Sequence, residues 1–187
     1  MFILSPTDYH IRRARKILEQ GGIIIYPTDT LYGFGADIRN KKAIKKIFNL
    51  KGRKAKSPIA IVVSSLEEIS QLAYVNDKQE RFINAVLPGP FTILLRKKRK
   101  VSQLLTAGTD KVGIRFPDSK ICNKISRNLP ITTTSVNISG AAPILDSKKL
   151  VQIFGQKVDL ILTGKKLSGR ASMVIDLTRE PFKILRI

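Results

Sequence analysis

Apolar residues recur along this chain at two spacings, one typical of amphipathic helices and one typical of buried strands. A first helix is predicted between Thr7, which can cap it, and the pair Gly21-Gly22, which ends it, because four apolar residues between them share one helical face: Ile11, Ala14, Ile17 and Leu18. A second helix is predicted after Asn40, with four lysines on its outer face and four apolar residues on its inner face: Ala43, Ile44, Ile47 and Phe48. Each helix therefore buries one face, and the strands must supply the surface that it covers.

Continuous apolar runs between turn residues predict a series of short buried strands. They cover residues 23–26, 59–63, 91–95, 112–116, 131–136, 158–162, 173–177 and 182–187. A helix around Ile121 and Ile125 separates two of them, and Ser65 and Asp77, each followed by Glu three residues later, predict capping boxes that begin two further helices. The last two strands are close enough to form a hairpin, so the sheet is expected to be mixed rather than purely parallel. The sequence thus predicts one α/β domain spanning residues 1–187.

A strong excess of basic residues points to the kind of partner rather than to the fold. The chain has 34 Lys and Arg against 14 Asp and Glu, which gives a formal net charge of +20. This balance favours polyanionic partners, either nucleic acid or phosphate-bearing ligands, although a basic surface that serves solubility alone is the plainer alternative. The basic run Lys97-Lys98-Arg99-Lys100 is interpreted as a solvated hairpin turn, because no aromatic residue is interleaved in it to stack on bases.

The single cysteine and the single histidine exclude several kinds of chemistry. Cys122 lies among apolar residues and is predicted to be a buried structural thiol, while His10 lies in an exposed basic helix and is assigned no chemistry. One residue of each type leaves too few ligands for a zinc site and no basis for Cys–His catalysis. No segment is long and apolar enough for a membrane span, and the amino terminus lacks the features of a secretion signal, so we expect a cytoplasmic protein.

Two short motifs carry the candidate chemistry: Lys51-Gly52-Arg53 and Ser135-Val136-Asn137. Each places two polar side chains at positions i and i+2, which point to the same side of an extended backbone. The first pair offers two cations on a polar loop, and the second offers a hydroxyl and an amide, a combination that suits a polyphosphate. Taken singly, each motif has a plainer interpretation: cations at the end of a helix for the first, and an Asn/Ser turn after a strand for the second.

Two further features indicate a polar pocket. Segment 27–33 contains Thr28, Asp29 and Thr30 directly after a buried strand, where they form either a pocket wall or simply a turn. Arg115 lies within an apolar strand, where a guanidinium must find an anion or point to solvent, and a carboxylate held by two hydrogen bonds would satisfy it. The phosphate-binding loop G-x-x-x-x-G-K-[ST] is missing, and Gly33-Phe34-Gly35 lacks the third glycine of a dinucleotide-binding fingerprint.

Together, and in this order, these segments resemble the YrdC/TsaC family of threonylcarbamoyl-AMP synthases. The resemblance covers nearly the whole chain and rests on residues 27–35, 51–58, 87–92, 112–117, 134–140 and 172–176. The chain departs from the family pattern in Ser57-Pro58-Ile59, where many members have Asn-Pro-Leu, and in Met173, where Thr is usual. It ends at Ile187, where members often continue to a glycine, and it lacks the extra carboxy-terminal domain of longer relatives, so it resembles the short, single-domain type.

The resemblance implies a YrdC-like twisted open mixed sheet flanked by helices, with a concave basic substrate groove. It implies that L-threonine, bicarbonate and ATP, which brings Mg²⁺, give threonylcarbamoyl-adenylate, pyrophosphate and water. Partner proteins of a threonylcarbamoyl transferase complex would then use the adenylate to modify the adenosine beside the anticodon of certain tRNAs. By family likeness, catalysis is assigned to Lys51, Arg53, Ser135 and Asn137, which form the ATP site with Pro143 and Arg186, while threonine is held by Thr28, Tyr32, Arg115, Thr133 and Ser172, with Arg115 taking its carboxylate.

Two other functions remain open on the sequence. One is a non-catalytic protein of the same fold that binds double-stranded RNA or tRNA, which the net charge of +20 favours. The other is a paralogue of the YciO branch with another small-molecule activity, in which we expect the Lys-Gly-Arg or the Ser-x-Asn motif to be altered. Both motifs are intact here, which favours the synthase. Even for a synthase, we expect weak, salt-sensitive binding of tRNA with little sequence preference.

Overall fold

Helices and strands alternate along the chain in the computed structural model, which describes residues 2–3, 6–52, 57–164 and 167–187, with the backbone alone at residues 2 and 3. The helices are α1 (Asp8–Glu19), α2 (Lys41–Lys51), α3 (Glu67–Leu72), α4 (Asp77–Val86), α5 (Gln103–Thr106), α6 (Lys120–Ser126) and α7 (Ser147–Phe154). The strands are β1 (Phe2–Ile3), β2 (Ile24–Pro27), β3 (Tyr32–Gly35), β4 (Ala60–Val62), β5 (Ala73–Tyr74), β6 (Phe91–Lys97), β7 (Lys111–Arg115), β8 (Ile131–Thr133), β9 (Leu160–Leu162), β10 (Met173–Asp176) and β11 (Lys183–Arg186).

The strands form two sheets, and both are mixed as the sequence predicts. The smaller sheet has the strand order β1-β9-β2-β3, with β2 parallel to β9 and antiparallel to β3. The larger sheet runs β11-β10-β6-β7-β4-β8, with β5 attached to β6. In it β6 is parallel to β10 and antiparallel to β7, while β10 and β11 form the antiparallel hairpin expected at the end of the chain.

A hydrogen-bonded seam joins the two sheets where β3 passes the chain that follows β8. The Phe34 N–H donates to the Thr134 carbonyl at 2.9 Å, and the Val136 N–H donates to the Tyr32 carbonyl at 3.1 Å. Gly33 makes this approach possible, because a Cβ atom there would lie only 2.9 Å from Thr133 Oγ1. The two sheets therefore continue into one another as an open, twisted surface.

Alternating side chains place the core on both sides of the smaller sheet. On one side Ile24 and Tyr26 of β2 pack with the buried residues of α1 and α6. On the other side Ile25 and its neighbour Ile23 pack with α2 and α7, where the Phe34 and Phe154 rings meet edge-to-face at 5.2 Å. Burying one such isoleucine contributes about 1.5–3 kcal/mol relative to exposing it, so β2 is anchored from both faces.

The larger sheet buries one face and leaves part of the other open. Ile61, Ile93 and Ile114, on the three central strands β4, β6 and β7, all point into the main core. Their strand neighbours point the opposite way, because side chains alternate along a strand. Among these neighbours are Ala60 and Gly113, whose small size leaves space above the centre of the sheet.

The first two helices form as predicted. Ile11, Ala14 and Leu18 of α1 are buried, and Ile17 is half-buried. His10 has a structural role at the start of this helix, because its Nδ1 accepts a hydrogen bond from the Thr7 N–H at 3.1 Å. Asn40 begins α2 by accepting a hydrogen bond from the Ala43 N–H at 3.0 Å, with the four apolar residues buried and the four lysines exposed.

Two local predictions are corrected. Ser65 does not cap α3, which begins at Glu67; the Glu68 carboxylate instead accepts hydrogen bonds from the Ser64 and Asn128 N–H groups. The capping box of α4 lies one residue earlier than expected and uses Asn76 and Gln79. The basic run 97–100 forms a turn as predicted: it ends β6, the Val101 N–H donates to the Lys98 carbonyl at 3.0 Å, and the chain then continues through α5 to the antiparallel strand β7.

The described residues also bear on two exclusions made from the sequence. Cys122 is fully buried, and burial raises the pKa of its thiol to about 12, as expected for a structural cysteine rather than a nucleophile. None of the helices within the described ranges combines the length and the apolar character that a membrane crossing requires.

Candidate active site

A cavity of about 460 Å³ lies on the open face of the larger sheet. Its floor is formed by Ala60, Leu94, Gly113 and Val174, one from each of four neighbouring strands. Its walls come from the seam between the sheets and from the segments around β10 and β11, and they include Thr30, Tyr32, Thr92, Arg115, Thr133, Ser135, Pro143, Ser172 and Arg186. An apolar floor with convergent polar groups is typical of a small-molecule site.

The structure brings together residues that the sequence assigns to two different substrates. Seven of the assigned residues line the cavity: Tyr32, Arg115, Thr133, Ser135, Pro143, Ser172 and Arg186. Thr28, Lys51 and Asn137 lie behind its wall as buried residues. Arg53 lies outside the described residues, so its part in the site stays a prediction.

Lys51 is buried behind the Ser135–Asn137 segment. It is the last residue of α2, and Gly52, with a φ of 57°, ends the helix in the left-handed conformation. The expectation that Lys51 lies on an extended polar loop is therefore wrong. Its side chain is only 2% exposed, and Nζ donates to Asn137 Oδ1 at 2.6 Å and to the Ser135 carbonyl oxygen. The ammonium thus fixes the end of the strand segment that carries the second motif.

Ser135 and Asn137 contact each other, as their i and i+2 spacing predicts. The Ser135 hydroxyl donates to Asn137 Oδ1 at 2.9 Å, and the Asn137 amide nitrogen donates to the Ala141 carbonyl at 2.6 Å. Asn137 is consequently held from three sides when the Lys51 contact is included. Ser135 is the member of this group that reaches the cavity.

Arg115 has an internal anion, Asp29, whose pairing with it was not predicted from the sequence. Arg115 Nη2 donates to Asp29 Oδ1 at 2.5 Å and to Thr30 Oγ1 at 3.0 Å. The two charged side chains are 8% and 10% exposed, and burial raises the pKa of Asp29 while the Arg115 charge opposes that rise. In the part of the chain that the structure describes, Arg115 Nε is buried without a hydrogen-bond partner. The Nη2 side of the guanidinium is therefore held by Asp29 and Thr30, while the unpaired Nε–H favours an additional hydrogen-bond acceptor, such as a ligand oxygen.

Thr28 closes the turn that presents the neighbouring residues to the cavity. Its hydroxyl donates to the Leu31 carbonyl at 2.7 Å and accepts from the Thr30 and Leu31 N–H groups at 3.1 and 3.2 Å. Its assignment to threonine stays a prediction, and what the geometry describes is a turn whose Thr30 and Leu31 line the wall. Tyr32, the next residue, is buried at the same wall, and this burial raises the pKa of its phenol.

Three side chains from neighbouring strands meet at the opposite wall. Arg186 Nη2 donates to the Ser172 carbonyl at 2.8 Å and to its hydroxyl oxygen at 3.2 Å. The Ser172 and Thr92 hydroxyl oxygens are 2.7 Å apart. Burial and then the nearby Arg115 charge lower the pKa of Arg186, so an anion between the two guanidinium groups would relieve their repulsion. This role of Thr92 is not predictable from the sequence alone, because nothing in its local sequence indicates a partner 80 residues away.

No three His, Cys, Asp or Glu side chains within the described ranges group closely enough to hold a metal ion. Among the residues that the structure describes, the charged ones that line the cavity are Arg115 and Arg186. Their surroundings suit a ligand that carries negative charge.

The protein is thus an α/β protein with a cavity on an open sheet face, and the two described arginines of that cavity suit a small anionic ligand. Residues 16–187 match the family model of the Sua5/YciO/YrdC domain, whose description is "Telomere recombination". The chain therefore belongs to the Sua5/YciO/YrdC family.

Individual relatives agree with this membership over most of the chain. A protein of Methanocaldococcus jannaschii, provisionally named a threonylcarbamoyl-AMP synthase, is 38% identical over 99% of this chain and 91% of its own length. The crystal structure of Pyrococcus abyssi Sua5 complexed with L-threonine superposes on this chain with a TM-score of 0.92 at 33% sequence identity. The match covers 100% of this chain and 56% of the longer Sua5 chain. Escherichia coli YciO has the same TM-score of 0.92 at 26% identity, over 100% of this chain and 94% of its own.

The buried position of Lys51 generates a test of its structural role. We expect Lys51→Met to lower the free energy of unfolding by about 1–3 kcal/mol, because the Ser135 carbonyl and the Asn137 amide lose a charged hydrogen-bond donor. Lys45→Met, at an exposed position of the same helix, should change it by less than about 0.5 kcal/mol. Urea unfolding monitored by circular dichroism measures both. Equal stability of the two variants would show that the Lys51 contacts do not hold the segment.

Proposed function

We propose that this protein is an L-threonylcarbamoyladenylate synthase, which converts L-threonine, bicarbonate and ATP to threonylcarbamoyl-AMP, pyrophosphate and water. One observation carries the proposal. A single cavity gathers residues that the family resemblance assigns to the amino acid, such as Arg115 and Ser172, and residues that it assigns to the nucleotide, such as Ser135 and Arg186. The relative that is 38% identical over 99% of the chain bears the name of this activity, which supports the same conclusion.

The reaction requires positioning rather than a nucleophilic side chain. The threonine nitrogen captures bicarbonate as a carbamate with loss of water, and a carbamate oxygen then attacks the α-phosphorus while pyrophosphate leaves. No covalent bond to the protein forms, so the buried thiol of Cys122 has no part in it. Bringing the two substrates together and stabilising negative charge on the phosphate oxygens would supply the catalysis. MgATP is the proposed form of the nucleotide, with the metal held by the phosphates.

The contacts of the site residues support different roles for different groups of them. Arg115, fixed on one side by Asp29, would take the threonine carboxylate, while Tyr32, Thr133 and Ser172 would shape the rest of the amino-acid site. Ser135, Pro143 and Arg186 would contact the nucleotide, together with Arg53. Lys51 and Asn137 would act from behind, by holding Ser135 in place. A buried charge that is already hydrogen-bonded positions its neighbours without reorganising during the reaction.

The decisive measurement is pyrophosphate release by the purified chain. We expect release to require L-threonine, bicarbonate and ATP together, because the attacking carbamate forms only from the first two. Omitting any one of them should leave the background rate. Pyrophosphate release without threonine would indicate another small-molecule activity, such as that of a YciO-like paralogue. No release under any condition, with tRNA binding retained, would favour the non-catalytic RNA-binding alternative.

Replacing Arg115 separates the two proposed subsites. We expect Arg115→Lys to raise the KM for threonine about 5- to 150-fold, which corresponds to the loss of about 1–3 kcal/mol of a charged hydrogen bond, with a smaller effect on the KM for ATP. Lysine keeps the positive charge but lacks the planar guanidinium group. That group can donate two parallel hydrogen bonds to a carboxylate, and in Arg115 it is held by Asp29. Arg96→Lys, at an exposed arginine paired with Asp110, is the matched control and should change neither constant. A larger effect on ATP than on threonine would show that the subsites are interchanged.

We also propose that the basic surface binds tRNA weakly in the cytoplasm, and that transferase partner proteins consume the adenylate there. The structure adds an aromatic residue to the basic run, since the Lys98 Nζ lies 5.6 Å from the centroid of the exposed Tyr74 ring. That arrangement offers a stacking surface that the sequence interpretation lacked. Lys97 is less available, because its Nζ donates to the Val101 carbonyl at 3.1 Å.

Neutralising the run tests this surface. We expect replacement of Lys98, Arg99 and Lys100 by Gln to reduce the slope of log affinity against log salt by about 0.7–0.9 for each phosphate contact removed. Pyrophosphate release should be unchanged. The comparison variant replaces Lys42, Lys45 and Lys46, exposed on α2, with the same change of charge. A catalytic defect in the first variant, or a larger loss of binding in the second, would contradict the assignment of the surface.

A further inference from the structure

A second cavity, of about 470 Å³, lies beyond the candidate active site and shares with it none of the lining residues that the structure describes. Side chains alternate along β6, so Arg96 points to the same sheet face as Leu94, which forms part of the floor of the first cavity. β5 pairs antiparallel with β6 and places Tyr74 directly opposite Arg96. Lys98, two residues after Arg96, also lines the second cavity. The open face of the larger sheet thus continues from the candidate active site into a basic pocket.

The Tyr74 ring is an exposed aromatic surface at this pocket. Tyr74 is 60% exposed, whereas Ala73, its neighbour in β5, is buried. The Lys98 ammonium lies 5.6 Å from the centroid of the ring. An exposed cation–π contact is weaker than the stacking of a nucleic-acid base on an aromatic ring. A base can therefore displace the ammonium from the ring, and the ammonium is then available to a phosphate.

Arg179 supplies a second cation to the pocket, and its charge is not fully balanced. Its Nε lies 3.3 Å from Asp176 Oδ2. The Lys111 Nζ donates to the same carboxylate oxygen at 2.7 Å, so one carboxylate is shared by two cations. A net positive charge therefore remains beside the cavity, where it favours an anionic ligand.

The other charged and amide side chains that the structure describes in this cavity are already paired. Arg96 forms an ion pair with Asp110 at 3.2 Å, and Glu180 forms one with Lys78 at 2.6 Å. The two amide side chains belong to the capping box at the start of α4. Few groups are therefore left to bind the edge of a base, so the pocket is expected to accept different bases.

We propose that the second cavity binds a single unpaired nucleotide, with its base stacked on Tyr74 and its phosphates in contact with Lys98 and Arg179. An unpaired nucleotide can present the face of its base to an aromatic ring, whereas the bases of a double helix are stacked on one another. The volume of about 470 Å³ lies within the range of about 300–1,000 Å³ that is usual for small-ligand pockets. The inference rests on the proposed tRNA binding, which it narrows from a basic surface to one nucleotide of a loop or an end.

Fluorescence anisotropy of a short labelled single-stranded RNA measures binding at this pocket. We expect Tyr74→Ala to weaken binding about 5- to 150-fold, the usual loss when a stacking aromatic residue is replaced by alanine. Tyr74→Phe keeps the ring and should bind as tightly as the unmodified protein. Tyr9→Ala is the matched control, because Tyr9 in α1 is also 60% exposed, and it should not change the affinity. Thermal unfolding of each variant verifies that the fold is intact.

The phosphate contact is tested separately by the salt dependence. We expect Arg179→Gln to reduce the slope of log affinity against log salt by about 0.7, the value for one phosphate contact with a single strand. Arg13→Gln, at an exposed position of α1, removes the same charge and should leave the slope unchanged. This comparison also tests the pocket if Tyr74→Ala fails to fold, and equal slopes for the two arginine variants would contradict the assignment of Arg179.

Two further probes identify the source of the nucleotide. A blunt RNA duplex should bind equally well to Tyr74→Ala and to the unmodified protein, because its paired bases cannot stack on the ring. A duplex that loses as much affinity as the single strand would refute the requirement for an unpaired base. Uridine monophosphate is the second probe. If it displaces the single strand, a free nucleotide is a sufficient ligand, and if it does not, the ligand is a nucleotide within an RNA strand; both results agree with a stacked base.

Other results would overturn the proposal. Unchanged binding of the single strand in Tyr74→Ala would exclude a stacked base, and an equal loss in Tyr74→Phe would assign the effect to the hydroxyl rather than to the ring. A protein that releases pyrophosphate and binds tRNA without any dependence on Tyr74 refutes this inference alone. One that binds no RNA refutes the proposed tRNA binding together with it. One that binds the single strand through Tyr74 but releases no pyrophosphate refutes only the proposed synthase activity.

Discussion

The seam between β3 and the chain after β8 is the contact on which the rest of the site depends. Its backbone hydrogen bonds fuse a small sheet and a large one, and they bring Tyr32, Thr133 and Ser135 to the edge of one cavity. A backbone approach this close requires residue 33 to lack a Cβ atom. The position of the polar wall is thus set by main-chain pairing, which is stiffer than any arrangement of side chains on a loop.

Each described cation of the site is held by a fixed partner before a ligand arrives. Lys51 is bound to the Ser135–Asn137 segment, Arg115 to Asp29, and Arg186 to Ser172. Such fixed groups keep a positive potential in the cavity at no cost in side-chain ordering when an anion binds. If the proposed function holds, they would let a small α/β domain bind a polyphosphate without a glycine-rich loop.

The sequence predicts those parts of the fold that repeat a period or carry a cap. α1 and α2 have four well-spaced apolar residues and a capping residue each, so both their existence and their buried faces are correct. α7 was not predicted, although Leu150, Val151, Ile153 and Phe154 recur at helical spacing, because an apolar run within only eight residues cannot be told from a buried strand by its period alone. The capping boxes at Ser65 and Asp77 match the short pattern, but tertiary contacts of Glu68 and a neighbouring Asn–Gln pair decide where those helices begin.

The site was predicted as a set of residues but not as a set of contacts. The two motifs meet as expected. Lys51 is buried because helix α2 extends to this residue, whereas a polar loop was expected there. The contacts of Asp29 and Thr92 were not predicted, because their partners lie more than 75 residues away along the chain. Contacts at such a separation produce no local sequence pattern.

The last strand makes the Arg186 wall of the cavity less firmly held than the rest. All four residues of β11 are exposed, and its described pairing is to β10 on one side. Detaching this strand breaks a single ladder and exposes little core, so its local opening requires far less free energy than unfolding of the domain. Arg186 travels with it. The wall at Arg186 is therefore expected to have the lowest local stability of the described parts of the cavity.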